Sequence, residues 1–208
     1  MINQFLIKAP ADGVTRFIFV RHGQTDANAK HYLQGQSDGP LNEVGLEQAR
    51  ELGSHLKPIF IEKIYCSDKK RAQATAQAIA DEKEMSIITD ARLQEWNCGD
   101  WDLMPVVDFL KLIEEQSIDI SAFEPPNGES ASQLRQRATE VLNDIYAQSK
   151  GKSVLIVSHG DLIRNMIGRL MQIEAGIARN IQIDNTSYSV LENHQGNWQI
   201  VKLNITTY

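Results

Sequence analysis

Cysteine is scarce in this chain: Cys66 and Cys98 are the two among 208 residues. So few give no disulfide framework, and their spacing forms no Cys-x-x-Cys pair for a metal or redox couple. Cys66, in the run Ile64-Tyr65-Cys66, reads as a small buried apolar residue, and Cys98 as an inert thiol, since nothing nearby argues for a lowered pKa. Basic charge is also short, with 21 Lys and Arg against 27 Asp and Glu and a formal charge of −6. A nucleic-acid partner would need a basic face and is not expected. No apolar run approaches the roughly 20 residues that span a bilayer. The first residues lack the basic-then-apolar order of a secretory signal. No membrane partner is therefore expected, and the cytoplasm is the expected location. His-Glu-x-x-His, acidic calcium loops and cysteine clusters are missing, so neither a metal nor a cofactor is called for. Solenoid repeats and low-complexity linkers are lacking too, and the length suits one domain over residues 1–208 with a full core.

What the chain does have is one arrangement twice. The apolar run Phe17-Ile18-Phe19-Val20 leads into Arg21-His22-Gly23, and Val154-Leu155-Ile156-Val157 leads into Ser158-His159-Gly160. In an open α/β sheet, ligands bind in the crevice beyond the carboxyl ends of the strands. Two such exits bring two imidazoles to one place. A neutral imidazole is a competent nucleophile near neutral pH, and covalent attack divides one hard displacement into two easier ones. Arg21 adds a planar fork for phosphate oxygens. One strand-His-Gly is an ordinary strand end and turn; two of them with Arg21 point to phosphoryl transfer through a phosphohistidine.

Periodicity supplies the frame. Strands are expected near 15–20, 61–66, 86–89, 153–158, 187–192 and 198–203. Helical patterns lie between most of them, which predicts a three-layer α/β/α sandwich with a mostly parallel central sheet. Asn42 is placed as an N-cap for a helix bearing Leu46, Ala49, Leu52 and Leu56. A second helix over 69–80 puts Arg71 in its first turn, close to the exit of the preceding strand. Ser130-x-x-Gln133 matches a capping box and opens the apolar stripe Leu134, Ala138, Val141, Leu142 and Ile145. Leu162, Ile163, Met166, Ile167 and Leu170 mark another buried helix face, and residues 193–197 read as a hairpin turn. The stretch 97–127 interrupts the alternation with one helix around Val106, Val107, Phe109, Leu110 and Ile113, followed by a turn at Pro125-Pro126-Asn127-Gly128.

Arg21-His22-Gly23-Gln24-Thr25 with Asn28, Pro40-Leu41-Asn42 with Gly45 and Gln48-Ala49, Ser67-Asp68 with Arg71-Ala72 and Thr75-Ala76, Leu93 with Glu95, Gly128-Glu129-Ser130 and Ser158-His159-Gly160 form an ordered series across the chain. In that series the chain resembles the histidine phosphatase superfamily, which also contains the cofactor-dependent phosphoglycerate mutases. The resemblance implies a phosphohistidine at His22, with His159 as its phosphate-binding partner and Glu95 as the general acid. It also implies phosphate contacts from Arg21 and Arg71, and a small cap at about 97–127 over the active site. Gln24 and Asn28 are candidate hydrogen-bond donors to phosphate, with local turn or helix capping as their alternative. Thr186, Trp96 and Trp101 are candidates to line the substrate. Glu95 has a plainer alternative as a surface residue paired with Arg92. His31, His55 and His194 are expected to be structural or exposed.

Phosphatase and mutase part company after the acid. Mutases of this family carry a basic and aromatic sequence there, whereas this chain reads Glu95-Trp96-Asn97-Cys98-Gly99-Asp100-Trp101, closer to the phosphatase branch with its Gly-x-Trp. Asp102, Leu103 and Met104 depart from that branch, where another glycine usually follows. The chain is also short for a mutase. Between Trp96 and Gly128 the basic residue is Lys111, against Asp100, Asp102, Asp108, Glu114, Glu115, Asp119 and Glu124, so a cap this acidic is expected to disfavour a second anionic group. The expectation is a metal-independent phosphomonoester hydrolase acting on a small phosphorylated metabolite, as monomer or homodimer. A cofactor-dependent phosphoglycerate mutase is the second reading, and a catalytically weak phospholigand-binding module the alternative of another class.

Overall fold

The structure, a computed structural model, describes residues 4–115, 118 and 123–207. Asp119 and part of the expected cap lie outside the described residues. In chain order the elements are α1 (Gln4–Ile7), β1 (Thr15–Arg21), α2 (Asp26–Ala29), α3 (Glu43–Leu56), β2 (Lys63–Cys66), α4 (Lys70–Lys83) and β3 (Ile87–Thr89). There follow α5 (Val106–Glu115), α6 (Ala131–Ala147), β4 (Ser153–Ser158), α7 (Gly160–Leu170), α8 (Ala175–Ala178), β5 (Tyr188–His194) and β6 (Asn197–Ile205), with short 3₁₀ turns at Ala91–Leu93 and Gly99–Trp101. The sheet order is β3-β2-β4-β1-β5-β6. From β3 to β1 every pairing is parallel, and β5 runs against both β1 and β6. The mostly parallel α/β sheet is thus as expected.

Both sheet faces are covered, which is why the central strands read as unbroken apolar runs. In β1, Phe17 and Phe19 pack with Val154, Ile156 and the stripes of α6 and α7. Their neighbours Ile18 and Val20 point the other way, onto α3 and α4 with Leu155 and Val157. Adjacent parallel strands therefore send their chains to opposite faces: β1 continues to α3, and β4 turns directly into α7. That is a topological switch point, the place where open α/β sheets bind ligands.

The start of α3 closes over the loop that follows β1. Asn42 caps it, its Oδ1 accepting from the Gly45 N–H at 2.8 Å. A Cβ at Gly45 would stand 2.0 Å from the Gln24 carbonyl oxygen, and one at Gly23 would stand 2.6 Å from the Gly45 carbonyl oxygen. These contacts are with backbone, which cannot swing aside. Gly45→Ala is expected to lower stability by at least about 1–3 kcal/mol and turnover with it; thermal unfolding checks this, and an unchanged Tm would contradict the close-approach account.

The cap is fastened to the segment after α2. Leu33 donates its N–H to Met104 O at 2.8 Å, and Leu103 donates back to Leu33 O at 2.9 Å. Asp102 accepts from the N–H groups of Gly35 (2.8 Å) and Ser37 (2.6 Å). Trp101 lies flat on Phe123 with ring centres 4.6 Å apart, and edge-on to Phe109 at 5.7 Å. It serves the interior of the cap. Among the described residues no helix is long and apolar enough to cross a membrane.

Candidate active site

Three neighbouring parallel strands deliver the site. β1 ends in Arg21 and is followed by His22, β4 is followed by His159 and β2 by Ser67, with Arg71 in the first turn of α4. The rings of His22 and His159 are 5.0 Å apart at 61°, and both are buried. Hydrogen-bond chemistry fixes their tautomers. His22 Nδ1 lies 2.7 Å from the Gly23 carbonyl, which only accepts, so Nδ1 holds the proton and the Nε2 lone pair is free. Arg71 Nε, which only donates, points at His159 Nδ1 from 3.2 Å, so His159 keeps its proton on Nε2, toward Ser67 Oγ at 2.9 Å. Burial, and then the charge of Arg71, hold both imidazoles well below the ordinary histidine range, leaving them neutral near neutral pH.

Arg71 is itself anchored, donating from Nη1 to Ser37 O (2.6 Å) and from Nη2 to Gly35 O (2.8 Å). Arg21 donates from Nη1 to Ile183 O at 2.8 Å, while its buried Nε–H has no acceptor among the described residues. A buried charged donor left over in this way is suited to a bound anion.

Glu95 is 9 % exposed and sits on the first turn of α7. Its Oε1 accepts from Trp96 N (2.9 Å) and Leu162 N (3.2 Å), and its Oε2 from Asp161 N (3.2 Å). His159, the N-cap residue, makes no side-chain cap bond, so Glu95 satisfies helix donors that the sequence-local cap does not. Arg137 holds the backbone of Glu95, donating to its carbonyl oxygen at 3.1 Å while paired with Glu129 at 2.6 Å. Burial, followed by the charge of Asp161, raises the Glu95 carboxyl above its ordinary range, although the N–H groups of Trp96 and Asp161 and the charge of Arg71 pull the other way. The plainer alternative is not what is seen: Arg92 pairs with Asp90 (2.8 Å) and Asp144 (2.6 Å). A Cβ at Gly160 would stand 3.7 Å from Arg21 Nε and 3.8 Å from Glu95 Oε2, so these two groups share one corner beside α7.

The remaining predicted residues divide. Asn28 closes a capping box with Thr25 and accepts from Asn185 Nδ2 at 3.2 Å, the capping alternative. Gln24 Oε1 accepts from Asn42 Nδ2 at 3.0 Å, tying it to α3. Thr186 is buried in a left-handed conformation (φ 50°), its N–H on Arg21 O and its hydroxyl on Asn185 O. Asn185 Nδ2 also holds His22 O at 2.9 Å, so residues 185–186 brace the backbone of the first histidine. Trp96 donates from its indole to Glu129 O at 2.6 Å and faces Phe109. Cys66 and Cys98 are buried free thiols whose pKa burial pushes up. His31 is exposed, His55 contacts the Tyr188 hydroxyl at 3.3 Å, and His194 lies by Glu192 in the β5–β6 hairpin. Among the described residues no group of three or more His, Cys, Asp and Glu is gathered to hold a metal ion.

Residues 17–206 match the family model described as histidine phosphatase superfamily (branch 1). The chain belongs to that superfamily. It is 34% identical over 184 residues, 86% of this chain and 85% of the relative, to the "Probable phosphoglycerate mutase GpmB" of Yersinia pestis (strain Pestoides F). Among solved structures, a putative alpha-ribazole-5'-P phosphatase from Escherichia coli str. K-12 substr. MG1655 superposes with a TM-score of 0.84 at 25% identity, covering 92% of this chain and 96% of that one. A mycobacterial glucosyl-3-phosphoglycerate phosphatase, solved with VO3, gives a TM-score of 0.83 at 27% identity over 92% and 99% of the two chains.

For this histidine phosphatase chain, sequence reasoning missed the supporting contacts. Ser67 and Glu129 stand in the matched motifs without an assigned task, and the structure gives them partners in His159 and Arg137. The carbonyls of Gly35 and Ser37 that hold Arg71 carry no side-chain signal at all.

Proposed function

We propose that the chain is a phosphomonoester hydrolase working through a phosphohistidine at His22 on a small phosphorylated metabolite. The carrying observation is the His22 ring: Nδ1 tied to Gly23 O at 2.7 Å, Nε2 free, and His159 5.0 Å away. In this reading Nε2 attacks phosphorus in line, and Arg21 and Arg71 hold the equatorial oxygens as charge redistributes. The phosphorus–oxygen bond to the alcohol breaks as Glu95 gives that oxygen its proton. Glu95, now a carboxylate, then takes a proton from water as the water displaces His22 from phosphorus. The phosphatases among the structural neighbours support hydrolysis as the outcome. The relative named as a probable phosphoglycerate mutase supports a second reading, in which the phosphoenzyme returns its phosphoryl group to an isomeric alcohol.

A brief reaction with a labelled phosphomonoester is expected to leave acid-labile, base-stable phosphate on the protein; label on a serine would overturn the proposal. Because the two arginines supply the positive field, turnover is expected to survive exhaustive chelation and to be blocked by vanadate, which imitates the five-coordinate phosphoryl group. Loss on chelation, restored by a divalent ion, would refute the metal-independent part. Release of phosphate is expected to exceed isomerisation of 3-phosphoglycerate even after priming with 2,3-bisphosphoglycerate. The reverse result would establish the mutase reading.

A further inference from the structure

Beside Glu95, between the cap and α6 and α7, lies a cavity of about 340 Å³ walled by Trp96, Phe109 and Leu134. It abuts the acid. Asp161 lines it while donating its N–H to Glu95 Oε2 at 3.2 Å, and Trp96 is the next residue after Glu95.

The charges lining this cavity are not those counted along the cap sequence. No described carboxylate of the cap lines the cavity. Asp102 is occupied by the N–H groups of Gly35 and Ser37, Asp100 by Asn127, and Asp108 faces Lys111. The cavity takes its charge from elsewhere: Arg135 on α6, Arg179 just after α8, and Asp161, the last already paired with Arg164 at 2.7 Å. Neither Arg135 nor Arg179 has a side-chain hydrogen bond or ion pair among the described residues. The described part of the cap contributes Phe109 and Leu110 here, while Arg135 and Arg179 come from outside the cap.

We propose that this cavity is the subsite for the alcohol portion of the substrate, and that Arg135 and Arg179 bind an anionic group, carboxylate or phosphate, carried on an apolar or aromatic body. The inference rests on the hydrolase reading and names its substrate class. A three-carbon acid fills only part of a cavity of about 340 Å³. Guanidinium groups suit both kinds of oxyanion, and the aromatic wall suits a planar body.

The test compares the phosphate monoesters of 4-(hydroxymethyl)benzoate and 4-(hydroxymethyl)benzamide, which share shape and reacting group and differ in the distal charge. Wild-type kcat/KM is expected to favour the benzoate by about ten- to a hundredfold. In the double variant Arg135→Ala, Arg179→Ala that preference is expected to fall to near unity, mainly through KM for the benzoate. Adding a second phosphate in place of the carboxylate distinguishes which oxyanion is preferred. Equal wild-type values for the two esters, or a preference that survives the double substitution, would overturn the proposal. Binding of the matching benzylic phosphonates, measured by calorimetry, reads the same preference without turnover. If no monoester is hydrolysed but the carboxylate phosphonate still binds tighter in an Arg135- and Arg179-dependent way, the hydrolase reading fails and the subsite stands.

Discussion

His22→Asn is expected to remove on the order of 10⁴- to 10⁶-fold of kcat, together with all phosphoenzyme labelling. Asparagine keeps an N–H that can reach the Gly23 carbonyl, so the loop retains its local hydrogen bond, but it offers no lone-pair nitrogen where His22 Nε2 stands. Without that nitrogen the reaction loses its two-step route, and the arginines alone cannot replace it. His159→Ala is expected to behave differently. It deprives Arg71 Nε and Ser67 Oγ of their shared partner, slowing transfer while leaving the nucleophile able to accept label. Acid-quench measurement of phosphoenzyme beside steady-state kcat separates the two. Label that persists in His22→Asn, or that maps to His159 in the wild type, would reverse the assignment of nucleophile.

The pairing of the two histidines was legible because each follows an apolar run long enough to be a buried strand, and parallel strands deliver their exits to one edge. The capping boxes and α-helical stripes were local patterns and were read as such: Asn42, Ser130 and the faces of α6 and α7 stand where expected. Sheet order was not legible, since no local pattern says that β4 inserts between β1 and β2. The missing part of the site has the same character. Arg71 reaches His159 across 88 residues, and Arg135 and Arg179, 44 positions apart in sequence, line one cavity. Glu95 was visible through the resemblance alone, because its burial comes from the first turn of α7, a contact spanning 66 residues to Asp161.

Glu95→Gln is expected to cost roughly 10²–10⁴-fold in turnover of an alkyl phosphate and much less with p-nitrophenyl phosphate, whose leaving group needs little protonation. The pH profile carries the same signature. Burial and Asp161 raise the Glu95 carboxyl, so it keeps its proton above the usual carboxylate pKa of about 4.3 and donates it in the acidic-to-neutral range. Burial and the two arginines lower His22, so the nucleophile stays neutral below the usual histidine value of about 6.5. With an alkyl phosphate, kcat/KM should therefore fall on the alkaline side as Glu95 loses its proton, and on the acid side as His22 gains one. The alkaline limb should vanish in Glu95→Gln and be weak for p-nitrophenyl phosphate in the wild type, while the acid limb remains in both. Glutamine also sets an amide N–H against the helix donors that Glu95 now accepts, so a modest loss of thermal stability is expected and is measured separately from the leaving-group ratio. Equal losses with both esters, or an unchanged alkaline limb, would take Glu95 out of the acid's role and leave it as the cap of α7.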